Sequence, residues 1–117
     1  MIFLSNCERG THMRKKSIVP CYQSIMPNVV FALKELGGTE TYSRVLYKVL
    51  FDLDISPSSF KQARNNISWA GTYLRKLDIL EKGTKQGVWV LKSEFISMDN
   101  QQIKEEIKKR YKKYYNL

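Results

Sequence analysis

The chain has 117 residues, with 20 Lys or Arg against 11 Asp or Glu, for a formal charge of +9 at pH 7. That length holds one domain of about 100 residues plus tails and leaves no room for a second, catalytic one. Its two cysteines and single histidine are too few for a structural zinc site, and no apolar run of about 20 residues is present to span a membrane.

The charge excess directs attention to an anionic partner. Cys7 and Cys21 are expected to be reduced thiols, and the opening MIFLSN is too short for the apolar part of a secretory signal, so the expected location is the cytoplasm. No metal, cofactor or catalytic set is expected. His12 stands apart from any nucleophile, and the carboxylates Asp52 with Asp54 and Glu105 with Glu106 read as solvated.

Residues 1–20 lack a sustained period and read as a flexible basic arm carrying Arg14, Lys15 and Lys16, with Met13 a second candidate start. The folded domain is expected over 21–97. From Tyr22 to Leu36, Ile25, Val29, Val30, Ala32, Leu33 and Leu36 recur at helical spacing. Pro27 is placed in the first turn, and Gly37-Gly38 ends the helix. Thr39-Glu40-Thr41 suits a short strand, and Thr41 or Ser43 a helix cap. A second helix follows from about Tyr42 to Leu53, with Val45, Leu46, Val49, Leu50 and Leu53 on its core face and Tyr47 and Phe51 beside that stripe. Pro57 and its serines break it.

The third helix, expected from Arg64 to Leu77, turns Ala63, Ile67, Ala70, Leu74 and Leu77 to one side and Asn65, Ser68, Thr72, Arg75 and Lys76 to the other, with Trp69 and Tyr73 on the flank. Two short β-like runs, Ile79 to Lys82 and Val88 to Lys92, then flank Gly83-Thr84-Lys85-Gln86-Gly87 and read as a hairpin, with Trp89 in the core. Between Phe60 and Lys92, seven basic residues face two acidic ones, whereas residues 21–59 are net negative. A last helix, capped by Asp99 or Asn100 within a basic tail over 98–117, sets Ile103, Ile107, Tyr111 and Tyr114 in one stripe among six basic residues. It reads either as packed on the domain or a dimer mate, or as a phosphate-binding extension; a membrane-surface role suits its thin tyrosine stripe least.

The expected class is therefore mainly α with a small β wing: a winged helix-turn-helix with a three-helix core, a two- to three-stranded sheet and a C-terminal helix. An outer helix face of amides, hydroxyls and cations is what base-edge and phosphate contact requires, because Asn pairs with adenine, Arg forks onto guanine, and Ser or Thr bonds either. The candidate DNA-binding residues are Lys61, Arg64, Asn65, Asn66, Ser68, Thr72, Arg75 and Lys76 on the helix and Lys82 and Lys85 on the wing.

The stretches FALKELGGTETYSRVLYKV and ARNNISWAGTYLRKLDILEKGTKQGVWVLK also resemble the N-terminal winged-helix domain of the Mrr family of restriction system proteins, over about Met26 to Phe95. The resemblance implies a DNA-binding domain whose family partners it with a separate nuclease domain of the PD-(D/E)xK type. The chain departs from that pattern at Asn66, where a second basic residue is common, and at Ser68 and Asp78, where glycine is usual; the nuclease half has no counterpart. The expected function is double-stranded DNA binding without enzymatic activity, in a restriction or defence system or as a small transcriptional regulator. The alternative is an interaction or dimerisation module whose C-terminal helix docks a nuclease subunit or a second copy.

Overall fold

The computed structural model describes residues 21–116; the expected basic arm lies outside them. Among the described residues, four helices and a two-stranded antiparallel sheet make an α+β arrangement: α1 (Tyr22–Glu35), β1 (Thr39–Thr41), α2 (Tyr42–Asp52), α3 (Phe60–Lys76), β2 (Val88–Val90) and α4 (Asn100–Tyr114). Short 3-10 turns at Pro57–Ser59 and Ser93–Phe95 lead toward α3 and α4. Cys21, expected as a reduced thiol, is instead disulfide-bonded, with its partner outside the described residues.

The apolar periods of the sequence become one continuous core. Ile25, Val29, Val30 and Leu33 of α1, Val45 and Val49 of α2, and Ala63, Ile67, Ala70 and Leu74 of α3 are all buried, with α1 and α3 packed most extensively on each other. Phe95 and Ile103 are fully buried in the same cluster. Pro27 lies in the second turn of α1 rather than the first, so α1 forgoes one backbone bond to Gln23 there.

Three helix ends share one device. After α1, Gly38 N–H donates to the Leu33 carbonyl at 2.7 Å and Gly37 N–H to that of Lys34 at 3.1 Å, with both glycines at positive φ. The same pair of bonds closes α2 through Ile55 and Asp54, and α3 through Ile79 and Asp78. In those two cases an aspartate occupies the left-handed position, at φ 54° and 63°. At the other ends, Thr41 Oγ1 accepts from Arg44 N–H at 3.4 Å, and Asp99 and Gln102 form a reciprocal capping box on α4.

The sheet differs from the expected hairpin. β2 pairs with β1, Thr39 opposite Val90 and Thr41 opposite Val88, while the run after α3 contributes only a single bridge, Leu80 to Leu91. Ile79 and Leu80 are both fully buried, so this run turns its side chains into the core instead of alternating as a free wing strand would. Its backbone still borders β2: Glu81 N–H donates to the Val90 carbonyl at 2.8 Å and Lys92 N–H to that of Ile79 at 3.0 Å.

α4 packs on this domain through Ile103, Ile107 and Tyr111, and Arg110 ties it down. That guanidinium donates to Glu106 at 2.7 Å, to Glu94 at 2.5 Å and to the Asp78 carbonyl at 3.0 Å, and it lies over the Phe95 ring. Tyr114, expected in the same stripe, is half exposed. Among the described residues, no helix is long and apolar enough to cross a membrane.

Candidate nucleic-acid interface

α3 begins at Phe60, four residues before its expected start, because the turn at Pro57–Ser59 runs directly into it. The early start adds Lys61 to the helix and places Lys61, Arg64, Asn65 and Ser68 around one open depression of about 580 Å³, completed by Ser58 and Gln62. Lys61, Arg64, Asn65 and Ser68 are exposed. Thr72 is half-buried, and its hydroxyl donates to the Ser68 carbonyl one turn back at 3.2 Å. Asn66 is about 100° further round the helix than Asn65, is half-buried, and stands off this face.

The opposite edge of the face is fixed by Trp89. Its indole lies against α3 at Gly71, where an added Cβ would come within 2.5 Å of the ring. Only glycine lets β2 approach the helix this closely. Arg75 covers the same ring, its guanidinium carbon 5.4 Å from the centroid, and the Tyr42 ring lies 5.2 Å away on another side. The Tyr42 hydroxyl in turn shares a 2.9 Å hydrogen bond with that of Ser68. Gly71, Tyr42 and Trp89 therefore position Arg75 and Ser68, a link not visible in the helical period alone.

The electrostatics turn on Lys92. It pairs with Asp78 at 3.2 Å and Glu81 at 3.6 Å, and chiefly the hydrogen bond to Asp78 raises its pKa. Those are the only two acids between Phe60 and Lys92, so one lysine engages both and the other six cations of the stretch are left without them. Among the described residues, Lys61, Arg64, Arg75, Lys76, Lys82 and Lys85 have no carboxylate partner. Lys82 and Lys85 are exposed in the loop 82–87, which is held by the Thr84 hydroxyl donating to the Val88 carbonyl at 2.9 Å and by Tyr42 N–H donating to that of Gly87 at 2.8 Å.

Lys76 turns to the other flank, where its Nζ is 5.1 Å from the Tyr73 ring centre. Tyr73 stacks on Tyr22 at 4.8 Å and neighbours Trp69, Tyr111 and Tyr115. Burial, reinforced by hydrogen bonds to Tyr111 and Tyr73, pushes the Tyr22 hydroxyl above its ordinary pKa; burial and a bond to Tyr73 do the same for Tyr115, while bonds from Tyr115 and Tyr22 lower that of Tyr73. The sequence set Trp69 and Tyr73 on one flank and Tyr111 and Tyr114 in one stripe but did not bring them together, since Tyr22 and Tyr115 complete the cluster only in the folded chain.

Among the described residues, no group of three His, Cys, Asp or Glu could hold a metal ion. No protein-family model, curated protein or solved structure matches the chain.

Proposed function

We propose that this chain is a double-stranded DNA-binding protein with a winged helix-turn-helix architecture, in which α3 enters the major groove and the loop 82–87 serves as the wing. The observation that carries this reading is the set of six cations on α3 and its following loop that lack any carboxylate partner among the described residues, with Lys92 absorbing both local acids. The order helix, strand, helix, helix, strand, with the last strand paired to the first, and the resemblance to the Mrr-type domain support it.

In this mechanism Asn65 reads adenine edges, the coupled hydroxyls of Ser68 and Tyr42 bond bases or phosphates, and Lys61 and Arg64 neutralise backbone phosphates. Arg75, carried on Trp89, extends the contact along α3, Lys76 lies at its flank over Tyr73, and Lys82 and Lys85 follow the sugar-phosphate backbone. Thr72 and Asn66 support the helix face rather than project from it. The chain acts by binding, without chemistry of its own, within a restriction or regulatory system.

Fluorescence anisotropy against salt tests the proposal. With about six phosphate contacts, affinity should fall roughly 10³-fold between 50 and 200 mM salt. Replacing Lys82 and Lys85 together by Glu should abolish binding. A flat salt response, or full binding by that variant, would overturn the reading.

A second reading, a protein-interaction module, is favoured by a different surface from the one expected. The stripe of α4 is used inside the domain, but Tyr47 and Phe51 on α2 are 67% and 82% exposed. On that reading the Lys82 and Lys85 variant retains partner assembly.

A further inference from the structure

The tyrosine cluster on the flank of α3 continues into an exposed aromatic ledge. From Trp69 it runs to Tyr73 at 6.3 Å, on to Tyr115 at 6.2 Å and then to Tyr114 at 4.8 Å. Trp69 is 49% exposed and Tyr114 50%. The rings form one connected series, and a contiguous exposed apolar patch, unlike scattered single side chains, marks an interaction surface.

Two further features say what partner. The inner rings are held before any ligand arrives: Tyr22 stacks on Tyr73 at 4.8 Å, Tyr111 and Tyr115 lie 4.7 Å apart, and Gln23 Nε2 donates to the Tyr111 hydroxyl at 2.6 Å and to that of Tyr22 at 3.2 Å. Rings fixed in this way lose little conformational entropy on binding. The ledge is also bordered by cations. Lys76, Lys113 and Tyr114 line a depression of about 480 Å³ together with Leu77, Asp78 and Arg110. Arg110 is occupied by Glu94 and Glu106, and Asp78 by Lys92, which leaves Lys76 and Lys113 facing an incoming anion.

An apolar protein surface would meet phenol hydroxyls and ammonium groups here instead of aliphatic carbon. Duplex DNA keeps its base faces stacked internally and offers none to the rings. Unpaired nucleotides present both a π face for Trp69 and Tyr114 and a phosphate for each lysine, the combination that single-strand binding surfaces use.

We infer that the Trp69–Tyr73–Tyr115–Tyr114 ledge binds unpaired nucleotides beside the duplex, so that the protein prefers a duplex with a single-stranded tail. The inference rests on the duplex-binding reading, with α3 holding the paired segment and the ledge the tail.

The test compares anisotropy titrations of a short blunt duplex and of the same duplex bearing an unpaired thymine tail at either end, at one salt concentration. The tail should raise affinity about tenfold for each base stacked. Trp69→Ala should remove most of that gain while leaving the blunt-duplex affinity unchanged, and Trp69→Phe, which keeps a π face, should retain most of it. Lys113→Glu should also remove the gain, and it serves if Trp69→Ala lowers the melting temperature. Equal affinity for both DNAs, or a gain that survives both Trp69→Ala and Lys113→Glu, overturns the ledge and leaves the duplex reading intact. Binding of the tail alone, lost in Trp69→Ala, with no affinity for the blunt duplex, sustains the ledge and overturns the duplex reading.

Discussion

Helices α2 and α3 are both amphipathic, both pack on α1, and both carry cations on their outer faces, yet those cations are in opposite states. On α2, Arg44 is 3.7 Å from Glu40, and Lys48 sits between Glu35 at 2.8 Å and Asp52 at 3.2 Å, contacts that raise the Lys48 pKa. On α3, none of Lys61, Arg64, Arg75 and Lys76 has a carboxylate partner among the described residues. A paired cation must give up a carboxylate before it meets a phosphate, whereas an unpaired one exchanges only water and salt ions. The pairing pattern therefore separates two surfaces that composition alone would treat alike.

The largest test of this difference is a pair of double substitutions. Lys61→Ala with Arg64→Ala is expected to weaken DNA binding roughly 100-fold at moderate salt and to reduce the slope of log affinity against log salt by about 2. Arg44→Ala with Lys48→Ala should leave both within about twofold. Comparable losses from the two variants in anisotropy titrations would show that pairing does not distinguish the surfaces.

A second contrast lies in how the two helices are supported. α3 meets β2 through Gly71 and Trp89, and a Cβ at Gly71 would lie 2.5 Å from Cη2 and 2.6 Å from Cζ2 of an indole only 5% exposed. Gly71→Ala is expected to destabilise the fold by about 1–2 kcal/mol in urea denaturation, because overpacking outweighs the helix propensity gained. Combining it with Trp89→Phe should cost less than the two single effects together, since the smaller ring vacates the clash. Unchanged stability in the Gly71→Ala variant would mean that β2 shifts freely on α3, and Arg75 with it.

Much of this architecture could be read from residue spacing. The buried sets of α1, α2 and α3, the glycine pair that ends α1 and the core position of Trp89 all follow local rules of period and turn chemistry. The pairing of β2 with β1 does not, because two three-residue strands far apart in sequence have their register set by the packing beneath them. The early start of α3 was hidden by Pro57 and three serines, which read as a loop yet supply its leading turn. Tyr47 and Phe51 looked like flanks of the core stripe but extend past its edge into solvent. In the candidate site, the charge bias and the polar face of α3 were legible. The pairing of Lys92 with both acids was not, because it depends on the chain folding back to set Lys92 beside Asp78 and Glu81.

The smallest expected effects come from the two aspartates at equivalent helix ends, Asp54 after α2 and Asp78 after α3. Each holds a left-handed backbone conformation that glycine adopts without strain. Asp54 has no ion pair among the described residues and lies at the negative end of its helix, so Asp54→Gly should stabilise the fold by about 0.5–1 kcal/mol without changing DNA affinity. Asp78→Gly relieves the same strain but also removes the closer of the two carboxylates on Lys92, leaving Glu81 at 3.6 Å. Its gain in stability should therefore be smaller, and DNA binding should tighten severalfold with a salt slope steeper by up to about 1, as Lys92 becomes available to a phosphate. Melting curves and salt titrations on the two variants separate these outcomes. Unchanged affinity in Asp78→Gly would place Lys92 outside the interface and confine the contact surface to the six cations already unpaired.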